Sequence, residues 1–386
     1  MFDASEIESS GFVCISAETR LALLNRQIAY AAARSPFYRE TLRGISPPER
    51  LSDLSRLPFT DAKALQTEGR RMVCVSGAEI ARIVSLATSG STGNRKRLYF
   101  TDGDLRRTVD FFAEGMAWMC APGDLCGILM PCTAPNGIGD LLCRGLEAIG
   151  VTPLPLGTET SMEVLRRRLE ETQPAVLVGF PWTLRLLALT CPALRPRAVL
   201  LSGDYVPDGA AKLIAECWGC SVLRHFGMTE TGYGGAVEHP AKQQLFLRRD
   251  ELIAEVVDPV SGEALSAGSA GELVLTTLRR EAMPLLRYRT GDLAVLTEEG
   301  NIAEVQGRKD GLRRDYQLQD ALSPIPWLWD YRTEPGRLIA DISDSAPRDA
   351  EAELKLSSGM ETTVRRLPRE NAAPFFAGKR RQESAL

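Results

Sequence analysis

The sequence lacks any apolar run long enough to cross a bilayer, so no membrane attachment is expected. Its opening, MFDASEIESSGF, has neither a basic stretch nor an apolar core, so it does not read as a secretory signal. A surplus of positive charge is missing too. The formal net charge is −4, which excludes a chain built throughout as a polycation for nucleic acid. Nine cysteines are present without a disulfide framework: Cys14, Cys74, Cys120, Cys126, Cys132, Cys143, Cys191, Cys217 and Cys220. An odd, dispersed set in a long chain fits a reducing cytoplasm. Neither an internal repeat nor a low-complexity segment appears.

What is present is a soluble globular balance, 44% hydrophobic and 25% charged residues. A length of 386 residues suggests two or three lobes. Residues 18–43 read as helix, ended by the turn at Ser35-Pro36, with Leu21, Leu24, Ile28 and Ala32 on one stripe. From Arg82 the order is strand (ARIVSLA), polar loop (TSGSTGNRK), strand (RLYF), then a helix that Asp102 is expected to cap, with Leu105, Val109 and Phe112 inward. Strands CGILM, VTPLPL, AVLVGF, RAVLLSG and SVLRHFG then alternate with helices GIGDLLCRGLEAIG, SMEVLRRRLEE, PWTLRLLALT and PDGAAKLIAECWG. This predicts parallel βαβ units, whose ligands gather at the C-terminal strand ends. After Gly232, LIAEVVDP, GELVLTT and LAVLTEEGNIAEV alternate with turns and predict an antiparallel β region. From Gly307 onward the reading is a short helix around Gln319–Trp329, two strands (RLIADIS and EAELKLS) and a basic tail.

The loop Thr88-Ser89-Gly90-Ser91-Thr92-Gly93 packs four hydroxyls and two glycines into six residues. Glycines admit close approach to an anion, and N–H and O–H groups can cradle phosphate. Lys96 and Arg97 add positive charge nearby. The spacing is not that of the G-x-x-x-x-G-K-[ST] loop. A Ser/Gly linker has the same composition, but here two strand-like segments flank the run tightly.

Three more segments follow in order: His225-Phe226-Gly227-Met228-Thr229-Glu230, Arg289-Thr290-Gly291-Asp292-Leu293 and Gly307-Arg308-Lys309-Asp310. With TSGSTG they resemble the core motifs of the adenylate-forming superfamily of acyl-CoA synthetases, luciferases and adenylation domains. SPFYRE (Ser35–Glu40), LPFTDAKAL (Leu57–Leu65) and ELVLTTLRREAMPLLRYRTGDL (Glu272–Leu293) are similar to phenylacetate–CoA ligase-type enzymes. The resemblance covers residues 20–310 well and the last 75 poorly. It implies an α/β fold with a large N-terminal domain of βαβ-type sheets (1–306), a β subdomain within it (233–306), and a small mobile α+β C-terminal domain (307–386).

The resemblance also implies roles. Ser89, Gly90, Ser91, Thr92 and Gly93 would hold the ATP phosphates. Gly203 and Asp204, in a Ser-Gly-Asp turn ending a predicted strand, would line the adenine site, with Phe226 and Gly227 alongside. Thr229 would contact phosphate, and Glu230 would ligate Mg²⁺, which accepts one or two carboxylates beside phosphate oxygens. Asp292 would take the ribose hydroxyls and Arg308 complete that clamp. Asp310 would be the hinge. Lys379, in a Gly-Lys context, would neutralise charge at the α-phosphate. The expected reaction is ATP-dependent activation of a carboxylic acid, aryl or arylacetic by resemblance, to an acyl-adenylate, then thioester formation with coenzyme A. A homodimer is also suggested by the family.

The pattern departs after the hinge. The family's second Asp and its Gly-x-Asn segment are replaced by Gly311 and LRRDYQLQDAL, which bears on the thioester-forming half. Two rival readings follow: an enzyme loading a protein thiol, and a nucleotide-binding regulator without catalysis. Cys217-x-x-Cys220 with His225 and His239 could be drawn as a zinc set. Its place on a helix-to-strand turn favours buried structural cysteine instead.

Overall fold

The computed structural model describes residues 12, 15–86, 95–158, 160–309 and 313–374. It is an α/β protein, with parallel strands that alternate with helices, and with an antiparallel β region. Chain order begins with helices α1 (Ala17–Arg34), α2 (Pro36–Thr41) and α3 (Ala62–Thr67), then β1 (Arg82–Leu86), β2 (Lys96–Phe100) and α4 (Asp102–Met116). Next come β3 (Leu125–Leu129), α5 (Ile138–Ala148), β4 (Thr152–Pro155), α6 (Met162–Thr172), β5 (Val176–Gly179), α7 (Pro181–Thr190), β6 (Ala198–Leu201), α8 (Asp208–Trp218) and β7 (Ser221–Gly227). The antiparallel run is β8 (Gly235–Glu238), β9 (Leu245–Leu247), β10 (Leu252–Val257), β11 (Ala270–Thr277), β12 (Tyr288–Leu296) and β13 (Ile302–Arg308). The chain continues through α9 (Arg313–Leu322), β14 (Leu328–Glu334), β15 (Arg337–Ser343), α10 (Ala350–Ser358) and β16 (Glu361–Leu367).

Two compact units divide these elements, one made of 12–114 with 226–309 and the other of 115–225 with 313–374. In the first, the antiparallel strands lie in the order β10-β11-β12-β13-β9-β8, around a core of Ala236, Leu247, Leu273, Leu275 and Ile302. Among the described residues, β1 and β2 pair only with each other. Asp104, fully buried, joins distant segments of this unit. It accepts the N–H groups of Thr101, Glu281 and Ala282 and pairs with Arg107 at 3.4 Å. Gln27 on α1 donates to the Arg280 carbonyl, so that segment is held from both sides.

In the second unit β7, β6, β5, β3 and β4 lie side by side in that order and run parallel. Pro181 occupies the first turn of α7, Ser161 caps α6, and Gly219 ends α8 in the left-handed conformation. The C-terminal elements pack on this unit through Arg185 of α7, which is fully buried. Its Nε donates to Ser323 O at 2.7 Å and Nη1 to Leu328 O at 2.8 Å, while Nη2 donates to Ile325 O. The guanidinium lies over the Trp182 ring at 4.9 Å, and Trp182 Nε1 donates to Gln319 at 2.9 Å. Burial lowers the Arg185 pKa to about 9.

Four expectations are corrected. Residues 18–43 form two helices, because Ser35 both ends α1 and caps α2. Thr101, not Asp102, caps α4: its Oγ1 accepts Asp104 N, while Asp104 accepts Thr101 N in return. The short helix spans Arg313–Leu322, and Trp329 lies in strand β14. EAELKLS is helical in α10, not a strand. Its Glu, Ala, Leu and Lys residues favour helix, Ala350 and Leu354 share the buried face at a spacing of four, and Gly359 terminates it.

Replacing Arg185 by Ala strips the carbonyls of Ser323, Ile325, Leu328 and Trp329 of a charged donor. The expected loss is about 3 kcal/mol or more of unfolding free energy. Urea unfolding monitored by tryptophan fluorescence checks it, with Arg185→Lys recovering only part.

Candidate active site

In the first unit, Lys96 opens β2 and points one way from the hairpin, since neighbouring strand residues alternate faces. Its Nζ lies 2.5 Å from Glu230 Oε1, and both side chains are largely buried, at 14% and 6% exposure. Tyr288 of β12 donates to the same oxygen at 3.2 Å. Burial, followed by the neighbouring Glu230 charge, raises the Tyr288 hydroxyl far above its ordinary value, so it stays a donor. Ion pairs of this burial gain strength from low dielectric but only while both partners remain.

Glu230 sits in the turn Thr229–Thr231 that follows β7. The turn is held from beneath. Arg280 Nη2 donates to Thr231 O at 2.5 Å, and Thr108 Oγ1 donates to Gly232 O at 2.8 Å. Gly232 has φ +78°, and a Cβ there would stand 2.7 Å from the Arg280 guanidinium. Only glycine satisfies both demands. Phe226 and Met228 pack, half-buried, against the antiparallel core, and Thr229 is half-buried.

Across β12 and β13, Asp292 and Arg308 are directly paired in the ladder, with Arg308 Nη1 3.1 Å from Asp292 Oδ1. The guanidinium lies across Gly291, whose φ is +80° and where a Cβ would meet it at 2.8 Å. Buried Glu272 beside them binds both Arg289 and Lys309.

The second unit gathers its own group at the ends of its parallel strands. Gly203 follows β6 with φ +85°; a Cβ there would strike the Phe180 ring at 2.6 Å and Met130 at 3.1 Å. Asp204 accepts the Tyr205 N–H at 2.9 Å. Ser202 Oγ and His225 Nδ1 are 2.8 Å apart, both buried. Burial lowers the His225 pKa from 6.5 to about 4, so the ring is neutral at physiological pH.

The structure thus brings Glu230 together with Lys96, and Asp292 with Arg308. Ser89, Gly90, Ser91, Thr92, Gly93, Asp310 and Lys379 lie outside the described residues. Tyr288 was missed: tyrosine in a strand reads as packing, although its place in the RYRTGD segment was the available signal. Arg280 and the Ser202–His225 pair were missed for want of any motif. Arg97 was read with Lys96 but occupies the other face of β2. Cys217 and Cys220 pack against the parallel-sheet core. For Mg²⁺ the fit is that of one carboxylate. Among the described residues the Lys96 and Tyr288 contacts of Glu230 both fall on Oε1, so Oε2 would be the atom to hold the ion, with phosphate oxygens and water to complete its shell.

The family model for AMP-binding enzymes matches residues 56–278, which include the hydroxyl-rich loop, Lys96 and Glu230. The chain belongs to the AMP-binding enzyme family. Among relatives of this AMP-binding enzyme, the phenylacetate–coenzyme A ligase of Thermus thermophilus is 35% identical over 297 residues, 72% of this chain and 64% of that protein. The enzyme of the same name from Pseudomonas putida is 28% identical over 76% of this chain and 70% of its own length. The chain therefore spans about two thirds of these relatives. The fold matches 2-hydroxyisobutyryl-CoA ligase in the postadenylation state, complexed with an acyl-AMP, at a TM-score of 0.78 with 20% identity, covering 95% of this chain and 88% of that one.

Two outcomes follow. Lys96→Met strands the Glu230 carboxylate and should cost roughly 3–5 kcal/mol of stability, much of it recovered in the Lys96→Met/Glu230→Gln double variant; a denaturation double-mutant cycle measures this. For His225 the folded pKa lies below the unfolded one. Between pH 6.5 and about 4 the unfolded chain therefore binds the proton and the folded chain does not. Stability from this residue is intact above pH 6.5 and falls as pH drops through that window, by about 3 kcal/mol in all. His225→Gln should flatten that part of the unfolding profile relative to the wild type.

Proposed function

We propose that this AMP-binding enzyme activates a carboxylic acid with ATP and passes the acyl group to coenzyme A. The observation that carries the reading is the family match, which spans the hydroxyl-rich loop and the turn bearing Glu230. The Thermus and Pseudomonas relatives are both named as CoA ligases. An aryl or arylacetic acid, and a homodimer, rest on resemblance alone. Cytoplasmic placement rests on the scattered free cysteines.

In the first step a carboxylate oxygen attacks the α-phosphorus of ATP, and the bond to pyrophosphate breaks. Ser89, Gly90, Ser91, Thr92, Gly93 and Thr229 hold phosphate oxygens in this reading. Glu230 would hold Mg²⁺, which when bound would offset phosphate charge. Lys96 fixes the Glu230 carboxylate, and Tyr288 fixes the same oxygen from the other side. Asp292, oriented by Arg308, accepts from the ribose hydroxyls. Gly203, Asp204, Phe226 and Gly227 serve the adenine. Lys379 stabilises charge building at the α-phosphate. In the second step the CoA sulfur attacks the acyl carbon and AMP leaves.

In this reading residues 1–306 form the large domain, with the β subdomain at 233–306, and residues 307–386 form the small domain, turning about Asp310 between the steps. That turn has to release Arg185 from the carbonyls of Ser323, Ile325 and Leu328, so the docked state is well held.

A pyrophosphate-release assay over a panel of carboxylic acids, with and without CoA, tests the proposal. The expected result is release with an aryl or arylacetic acid and a CoA thioester as product. Thioester formation only on a protein thiol would overturn the CoA half; no release with any acid would overturn both. Lys379→Ala should slow adenylation about a hundredfold or more while sparing thioester formation from a supplied acyl-adenylate.

A further inference from the structure

The β1–β2 hairpin has two faces. Lys96 looks toward Glu230 on one. On the other, Ile83 pairs with Tyr99 and Ser85 with Arg97 across the ladder. These four side chains form one wall of a groove of about 680 Å³. The facing wall comes from the segment after α3, with Val73, Ile80 and Arg70. That volume suits a small-molecule ligand. None of this groove belongs to the constellations around Glu230, Asp292 or Gly203.

Its charge is one-sided. Gly69 stands beside the Arg97 backbone, so Arg70 and Arg97 come from adjacent strands of chain. Both are exposed, and among the described residues neither has a carboxylate partner. Arg71 is different: it is paired with both Glu40 and Glu68. Two guanidiniums lining one groove without an acid favour an anion that accepts from both. A phosphate suits such a pair well, because each guanidinium can engage two of its oxygens. Beside the cations the groove offers apolar surface from Ile83, Val73 and Ile80, with the largely buried Tyr99 at its wall. Ile83 is 54% exposed, unusual for a large aliphatic strand residue, and Tyr99 lies next to it. A ring lying there would cover it.

We propose that this groove binds a phosphorylated ring compound: phosphate on Arg70 and Arg97, ring on Ile83 and Tyr99. The ligand has two sources, the 3′-phosphoadenosine end of coenzyme A or a free nucleotide; only the first rests on the thioester-forming reading above. Because among the described residues β1 and β2 pair only with each other, a ligand on their outer face also braces these two strands.

Isothermal titration of the full chain with adenosine 3′,5′-bisphosphate tests this, with the ATP site saturated by α,β-methylene-ATP. The wild type should bind, and the Arg70→Gln/Arg97→Gln variant should bind about tenfold more weakly or less well still, with affinity for the ATP analogue retained. An Arg70→Lys/Arg97→Lys variant should restore much of the binding, which separates lost charge from lost folding. A raised KM for CoA in the Gln variant with unaltered pyrophosphate release assigns the groove to coenzyme A. An unaltered KM for CoA with weakened bisphosphate binding assigns it to a free nucleotide. No binding by the wild type under these conditions, or equal binding by wild type and Gln variant, overturns the proposal.

Discussion

The Lys96–Glu230 pair is the constraint on which the first unit is arranged. Neither charge can be buried alone without a penalty of several kcal/mol, so the start of β2 and the turn after β7 must stay together. The pair fixes one carboxylate oxygen of Glu230. Tyr288 adds a third anchor from the antiparallel sheet, and its raised pKa keeps it a donor. A carboxylate placed by two partners loses little freedom when it meets a cation, which is how a single acid can serve a metal-dependent step.

Around that pair the unit repeats one device, a buried charge answered by backbone. Asp104 takes three N–H groups, and Arg280 gives to Thr231 O beneath the acid turn. Glycine appears where these side chains need room. At Gly232 and Gly291 a guanidinium occupies the space a Cβ would need, so backbone conformation and ion placement are set together.

Periodicity and caps made much of the fold legible. The five parallel strands and their helices follow from apolar runs bounded by Gly and Pro, and the motif His225–Glu230 ends a strand as read. EAELKLS failed because short alternation of Glu, Ala, Leu and Lys satisfies both periods, and the Gly359 cap that decides it lies beyond the run. Within the site, residues carried by motifs could be named, while those acting through geometry could not. Tyr288 looks like strand packing until Glu230 is placed beside it. Arg185 has no signature at all, because its acceptors are main-chain carbonyls of whatever residues happen to reach it. Arg97 shows the reverse error: adjacency in sequence suggested a shared role with Lys96, and strand alternation separates them.

Arg185 also imposes an order on biosynthesis. Its helix leaves the ribosome well before the carbonyls at Ser323, Ile325 and Leu328. At roughly 5–20 residues per second, that interval lasts on the order of ten seconds. Throughout it the guanidinium has only water to bind, so α7 has to keep that face wet while the rest of the parallel sheet assembles. The C-terminal segment from residue 313 therefore completes the core of a unit begun much earlier, and a nascent chain stopped short of residue 323 carries a charge where the finished protein has an interior.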